Sequence, residues 1–209
     1  MIKYAKRPIP EVDQWITPWR LKWYPRVILI ALFVGFFFSI LHGKGVNTMT
    51  GRLGGDYPAF YGAGRIIAQG DWNELYNAKR QLLVQEDLIP GDSGYLCFAY
   101  PPYVALVYWP FSLLNYRLSY TIHTLLMVGA LLLTLHLIRP MIKQVDQYYL
   151  CAFTLTLLFY PILRSVLGGQ NTAVALLIIA STWRAVTNGR EYLASALLGL
   201  LLFKPQFAL

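Results

Sequence analysis

Six stretches without a single charged side chain, residues 27–43, 93–116, 118–138, 147–163, 165–183 and 192–203, constrain this chain more than any other feature. About 20 apolar residues in a helix cross the ~30 Å of hydrocarbon in a bilayer. Lipid offers backbone N–H and C=O groups no partner, so such runs are expected as helices that satisfy their own hydrogen bonds. Of the 209 residues, 56% are hydrophobic and only 13% charged, where soluble domains carry about 25% charge. The expected fold class is therefore all-α, a multi-pass transmembrane helical bundle with six membrane segments.

The net charge of +8 does not point to nucleic acid, because the basic residues are scattered between apolar runs and follow membrane topology instead. Lys3, Lys6, Arg7, Arg20, Lys22 and Arg26 precede the first run. Residues 1–26 are accordingly expected as a cytoplasmic basic N-terminus, and 27–209 as the membrane domain, in the cell (inner or plasma) membrane. The run Val27–Leu41 lies too late for a cleaved leader and has no small-x-small site after it, so it is expected as an anchor. Cys97 and Cys151 stand in different segments without CxxC spacing, which supports neither a disulfide nor a metal site. His123 and His136 have the wrong separation for one metal-binding helix face and are expected as hydrogen-bonded interior residues. No cofactor and no metal-ligating residues are expected, while the sequence leaves a divalent-metal requirement open.

Residues 43–100 form the expected extracytoplasmic loop, since 43–92 holds six of the ten acids. Two short surface helices are expected in it, about 57–69 and 72–89. Asp71-Trp72-Asn73-Glu74 reads as a capping box, and Pro90-Gly91 closes the segment. Pro110 interrupts the second apolar run, so residues 102–114 are expected to be kinked, short or re-entrant. If that run does not cross, Gly168–Asn171 and Lys204 share a side with Asp56. That is the preferred topology.

Four polar stretches stand out: Gly55-Asp56-Tyr57 with Phe60-Tyr61 and Ala63-Gly64, Tyr100-Pro101-Pro102, Gly169-Gln170-Asn171, and Lys204-Pro205. In this order they resemble glycosyltransferase family 87, the polyprenol-phosphate-mannose-dependent mannosyltransferases, over roughly 27–209. The resemblance implies a GT-C fold that moves a hexose, with inversion, from a polyprenyl-phosphate donor to a hydroxyl of a lipid or glycan acceptor outside the membrane. Full-length relatives have about twice as many helices, so the chain is expected to be an N-terminal half that lacks activity alone. Asp56 matches the catalytic aspartate of the family. Tyr57, Tyr61, Tyr100, Gln170, Asn171 and Lys204 are the expected substrate-binding residues.

Each of these residues also has a plain structural reading. Asp56 before Pro58 has the makings of a helix N-cap, and Gln170-Asn171 of a cap on the helix that follows. Lys204 could snorkel to an interface, and the tyrosines could belong to an interfacial belt. With Lys204, Arg65 and Arg164 are further candidate cations for a phosphate. The rival functions are a non-catalytic membrane subunit and a lipid-linked-sugar transporter. No internal repeat speaks for the transporter.

Overall fold

In a computed structural model of the chain, residues 16–42, 53–88 and 95–204 are described. The expected cytoplasmic N-terminus is described only from residue 16, and Pro90-Gly91 and Pro205 lie outside the described residues. All regular structure among the described residues is helical. In chain order the helices are α1 (Pro18–His42), α2 (Tyr57–Ala68), α3 (Ala78–Leu88), α4 (Pro102–Ser112), α5 (Tyr116–Ile138), α6 (Lys143–Gln147), α7 (Tyr149–Leu158), α8 (Tyr160–Leu167), α9 (Thr172–Thr187) and α10 (Glu191–Leu200). Turns of 3-10 helix lie at Trp72–Glu74, Arg139–Met141 and Leu201–Phe203.

Each apolar run carries helix, yet among the described residues not every run makes a helix of full membrane length. Among the described residues only α1 and α5, with its 3-10 extension to Met141, are long and apolar enough to cross a membrane as single helices. A third crossing results if α7 and α8, bent by 71°, count as one span. Prolines and glycines make the difference, and a count of charges does not register them. Pro161, in the first turn of α8, lacks the N–H that would continue α7, and Phe159 turns extended at ψ 112°. The segment around Pro110 is short, as expected: α4 has 11 residues, about 16 Å at 1.5 Å per residue.

The largest departure from expectation is α2, which is no surface helix. Ten of its twelve residues are buried, including Tyr57, Phe60 and Ile66. Small residues permit this. Gly64 lies so close to α4 that a Cβ there would stand 2.5 Å from the Tyr108 carbonyl oxygen. Ala63 and Ala105 are also fully enclosed. Around α2 gathers an aromatic core: the Phe60 ring stacks on Tyr108 at 4.8 Å, and Tyr57 lies 4.7 Å from the His123 imidazole. Such pairs add to the burial of the rings themselves.

A second core joins Met127, Leu131 and Leu135 of α5 to Phe153 and Leu157 of α7, Val166 of α8 and Ala173 of α9. Helix α9 packs on both α5 and α10, while α1 lies along α7.

The expected capping box at Asp71 is also corrected. Asp71 makes no side-chain cap; its carboxylate instead pairs with Arg80 at 2.6 Å. The second helix begins only at Ala78, where the Asn77 side chain accepts from the N–H groups of Lys79 and Arg80 at 3.0 and 3.3 Å. Asn is as good an N-cap as Asp, and this one satisfies two otherwise orphaned donors. From α3, Gln81 and Gln85 then hold the extended segment before α4. Gln85 exchanges two hydrogen bonds with the backbone of Leu96, and the Gln81 carbonyl accepts from the Phe98 N–H at 2.9 Å.

Candidate active site

Two glycine turns, one ahead of α2 and one ahead of α9, are pressed together here. The Asp56 N–H donates to the Gly168 carbonyl at 2.8 Å. Gly55 (φ 52°) faces Gly168 so closely that a Cβ would stand 2.7 Å from its Cα, and Gly169 (φ 68°) is backed onto Gly54 and Tyr57. Both adopt left-handed backbone, which only glycine takes without steric cost. Through this contact the Gln170 amide donates to the Asp56 carboxylate, across 114 residues of sequence.

Asp56 does occupy the N-cap position of α2, but its side chain makes no capping hydrogen bond. The cap reading therefore accounts for its place in the chain and not for its carboxylate. Asn171 likewise sits at the N-cap of α9 without capping it. It is buried, and its Oδ1 has no partner. A buried acceptor left unpaired is costly, so a hydroxyl or amide donor arriving there would be strongly favoured.

Lys204 reaches the same turn from the far end of the described chain. It is only 6% exposed, and its Nζ donates to Thr172 Oγ1 at 3.0 Å. Burial lowers its pKa from the usual lysine value. Among the described residues no carboxylate pairs with it. Of the other candidate cations, Arg65 is engaged by Asp87 at 3.1 Å, and Arg164 is exposed at the surface of α8. Gln170, Asn171 and Thr172 thus gather the acid, the orphaned acceptor and the amine onto one loop.

The three tyrosines fare differently. Tyr57 is fully enclosed, its hydroxyl 2.5 Å from Ser119 Oγ, and burial holds its phenol far above the ordinary range. Tyr61 donates to the Leu114 carbonyl at 2.6 Å and is 4% exposed. Both form the floor under the Asp56 turn. Tyr100 is half-buried, its ring 4.9 Å from Phe60. Its phenol is raised first by burial and then by the charge of Asp56, which places it within electrostatic reach of that carboxylate.

Some of the machinery carried no sequence signal. Ser119 and His123 look like ordinary members of an apolar helix. His123 is nevertheless buried, its Nε2 3.0 Å from Tyr108 Oη and its Nδ1 without a partner. It is the hydrogen-bonded interior residue expected, whereas His136 is exposed. Gln81 and Gln85 position the segment leading to Tyr100, and only their i, i+4 spacing hinted at a shared face. Cys97 is exposed and Cys151 half-buried, both as free thiols. Among the described residues no group of three or more His, Cys, Asp or Glu could hold a metal ion.

An apolar groove of about 500 Å³ opens between α1, α5 and the α7–α8 pair. Its wall includes Leu32, Phe36, Val128 and Leu157, and it reaches Leu53 and Leu167, the residues that precede the two glycine turns. The groove thus ends beside the two glycine turns that carry the polar site.

Fold and site together define an all-helical chain with two or three candidate membrane spans, in which a carboxylate, amides and a buried amine gather beside an apolar groove. The chain belongs to glycosyltransferase family 87, whose model matches residues 98–209, just over half of it. No curated protein and no solved structure matches the chain. The matched span holds Tyr100, Gln170, Asn171 and Lys204, while Asp56 precedes it. What ties Asp56 to the family's part of the chain is the contact with Gly168 and Gln170.

Proposed function

We propose that the chain carries the catalytic carboxylate of a GT-C glycosyltransferase that moves a hexose, mannose by resemblance, from a polyprenyl phosphate to an acceptor hydroxyl outside the cell membrane. In this reading the N-terminus is cytoplasmic. The acceptor oxygen attacks the anomeric carbon while its proton passes to an Asp56 oxygen. The bond from that carbon to the phosphate oxygen breaks, its electron pair leaves with the polyprenyl phosphate, and the anomeric configuration inverts. A phosphate leaving group is already a stable anion, so the site needs positive charge more than a general acid. Lys204 supplies it, Asn171 Oδ1 accepts a sugar hydroxyl, and the groove takes the isoprenoid chain.

One observation carries the proposal: a carboxylate in a capping position that does not cap and is instead held by an amide from a distant loop. The test is Asp56→Asn, assayed for transfer from a polyprenyl-phosphate hexose in the longest natural form of the protein. Asn still accepts from Gln170 but takes up no proton near neutral pH. Folding should be intact and transfer should fall at least about 10²-fold, the lower end of a general base's contribution. Near-normal transfer by a folded Asn variant would remove Asp56 from the mechanism. Gln170→Ala, alone and combined with Asp56→Asn, measures the contact itself. Independent effects adding to within about 0.5 kcal/mol would mean that the two side chains do not interact.

A further inference from the structure

At the opposite end of α1 from the candidate active site lies a second cavity, of about 450 Å³, between the first turns of α1 and α7. Along the helix it is about 27 Å from Lys22 to Ile40, at 1.5 Å per residue, and Ile40 is where α1 joins the core around Tyr57. Lys22 and Arg26, one turn apart on α1, line one wall; Gln147, Tyr148 and Leu150 line the other. No acid contributes to the lining. The nearest carboxylate in sequence, Asp146, is bound by Arg139, whose guanidinium also lies over the Tyr149 ring. Among the described residues neither Lys22 nor Arg26 has a carboxylate partner; both cations lie over the Trp23 ring, at 5.9 and 5.6 Å, and Arg26 also donates to the Lys22 carbonyl.

Two features place this cavity at a membrane surface. Trp19, Trp23 and Tyr24 are all exposed on the same turns of α1, the arrangement of an aromatic belt at a membrane–water interface. Beyond them α1 presents Val27, Ile30, Phe33 and Val34, all exposed and all apolar. The cavity is also two-sided: Lys22, Arg26, Gln147 and Tyr148 give it a cationic, hydrogen-bonding rim, and Leu21, Leu150 and Cys151 an apolar side.

We infer that this cavity is a binding site for the headgroup of an anionic phospholipid. The Lys22 and Arg26 cations meet its phosphate, the Gln147 and Tyr148 polar groups its glycerol or head alcohol, and Leu21 and Leu150 the first methylenes of its acyl chains. Basic pockets between membrane helices hold anionic headgroups in this way. The site would fasten α1 to α7, which form one wall of the groove at their other ends, and so couple the lipid of one leaflet to the groove described above.

The test uses the 209-residue chain, purified in detergent, stripped of lipid, and examined by native mass spectrometry with mixed micelles of phosphatidylglycerol and phosphatidylcholine. One phosphatidylglycerol should be retained in preference to phosphatidylcholine. Lys22→Gln with Arg26→Gln should weaken that retention about tenfold or more, as two surface cations are lost. Arg190→Gln, which removes one charge from the turn between α9 and α10, should leave it unchanged. Equal retention of both lipids, or an equal loss in Arg190→Gln, would overturn the proposal. So would displacement of the lipid by inorganic phosphate at equal concentration, which would mark a free-phosphate site. Should the double variant fail to fold, the wild-type chain still decides. Its phosphatidylglycerol retention must weaken from low to high salt, and retention indifferent to salt would exclude a charge-recognised headgroup.

Discussion

Gly169 stands so close to Gly54 that a Cβ on it would lie 2.4 Å from the Gly54 carbonyl oxygen and 2.5 Å from the Tyr57 Cβ. The two glycine turns are thus a single joint, and the candidate active site depends on its fit.

Gly169→Ala should open that joint. Left-handed backbone costs a side-chain-bearing residue about 1–2 kcal/mol, and forcing a methyl group into a filled contact adds about 1–3 kcal/mol. Gly70→Ala is the control, because Gly70 has φ 83° and nothing within 4 Å of its added Cβ. Thermal unfolding in detergent should show a clearly larger loss for Gly169→Ala, accompanied by loss of transfer. Equal losses would mean that the close contact with Gly54 contributes nothing.

Lys204→Met should separate stability from activity. An uncompensated buried cation destabilises a fold, and an apolar side chain of similar length removes that cost. The variant is expected to melt at the same temperature or higher, while transfer from a phosphate-linked donor falls. A Lys204 that merely snorkels to an interface predicts unchanged transfer.

The caps of the outer segment can be told apart by substitution. Asn77→Ala should cost about 1 kcal/mol through loss of the α3 cap. Asp71→Ala removes only a half-exposed ion pair with Arg80, worth about 0.2–1 kcal/mol and weaker in salt. Chemical denaturation at low and high salt checks both. A larger, salt-independent loss from Asp71→Ala would restore the capping box.

Filling the groove should be felt according to donor length. Val128→Phe places a ring in its wall and is expected to raise KM about tenfold for a long-chain polyprenyl donor, within the 1–3 kcal/mol that overpacking costs. A donor with a short chain should be affected far less. Equal effects on both would move the lipid chain elsewhere.

The helical class and the polar stretches were legible in the sequence because hydrophobicity and residue type are local properties. Asp56, Gln170, Asn171 and Lys204 all stand out as polar groups among apolar neighbours, and the structure gathers them around one loop. Where helices stop was less legible, since Pro161 and Pro110 end or shorten helices without any change in charge. The burial of α2 was hidden for a different reason. Its Gly62, Ala63 and Gly64 look unremarkable in a hydropathy profile, yet the two glycines let α3 and α4 approach the backbone. The hydrogen bonds of Ser119, His123, Gln81 and Gln85 depend on partners 6 to 62 positions away, and no local pattern announces them.

The contact between Asp56 and Gln170 also sets an order of events during biosynthesis. At about 5–20 residues per second, the ribosome needs roughly 6–23 s to add the 114 residues that separate carboxylate from amide. For that interval Asp56 has no Gln170 to hold it, and the carboxylate gains its amide partner only once α8 and the second glycine turn have been made.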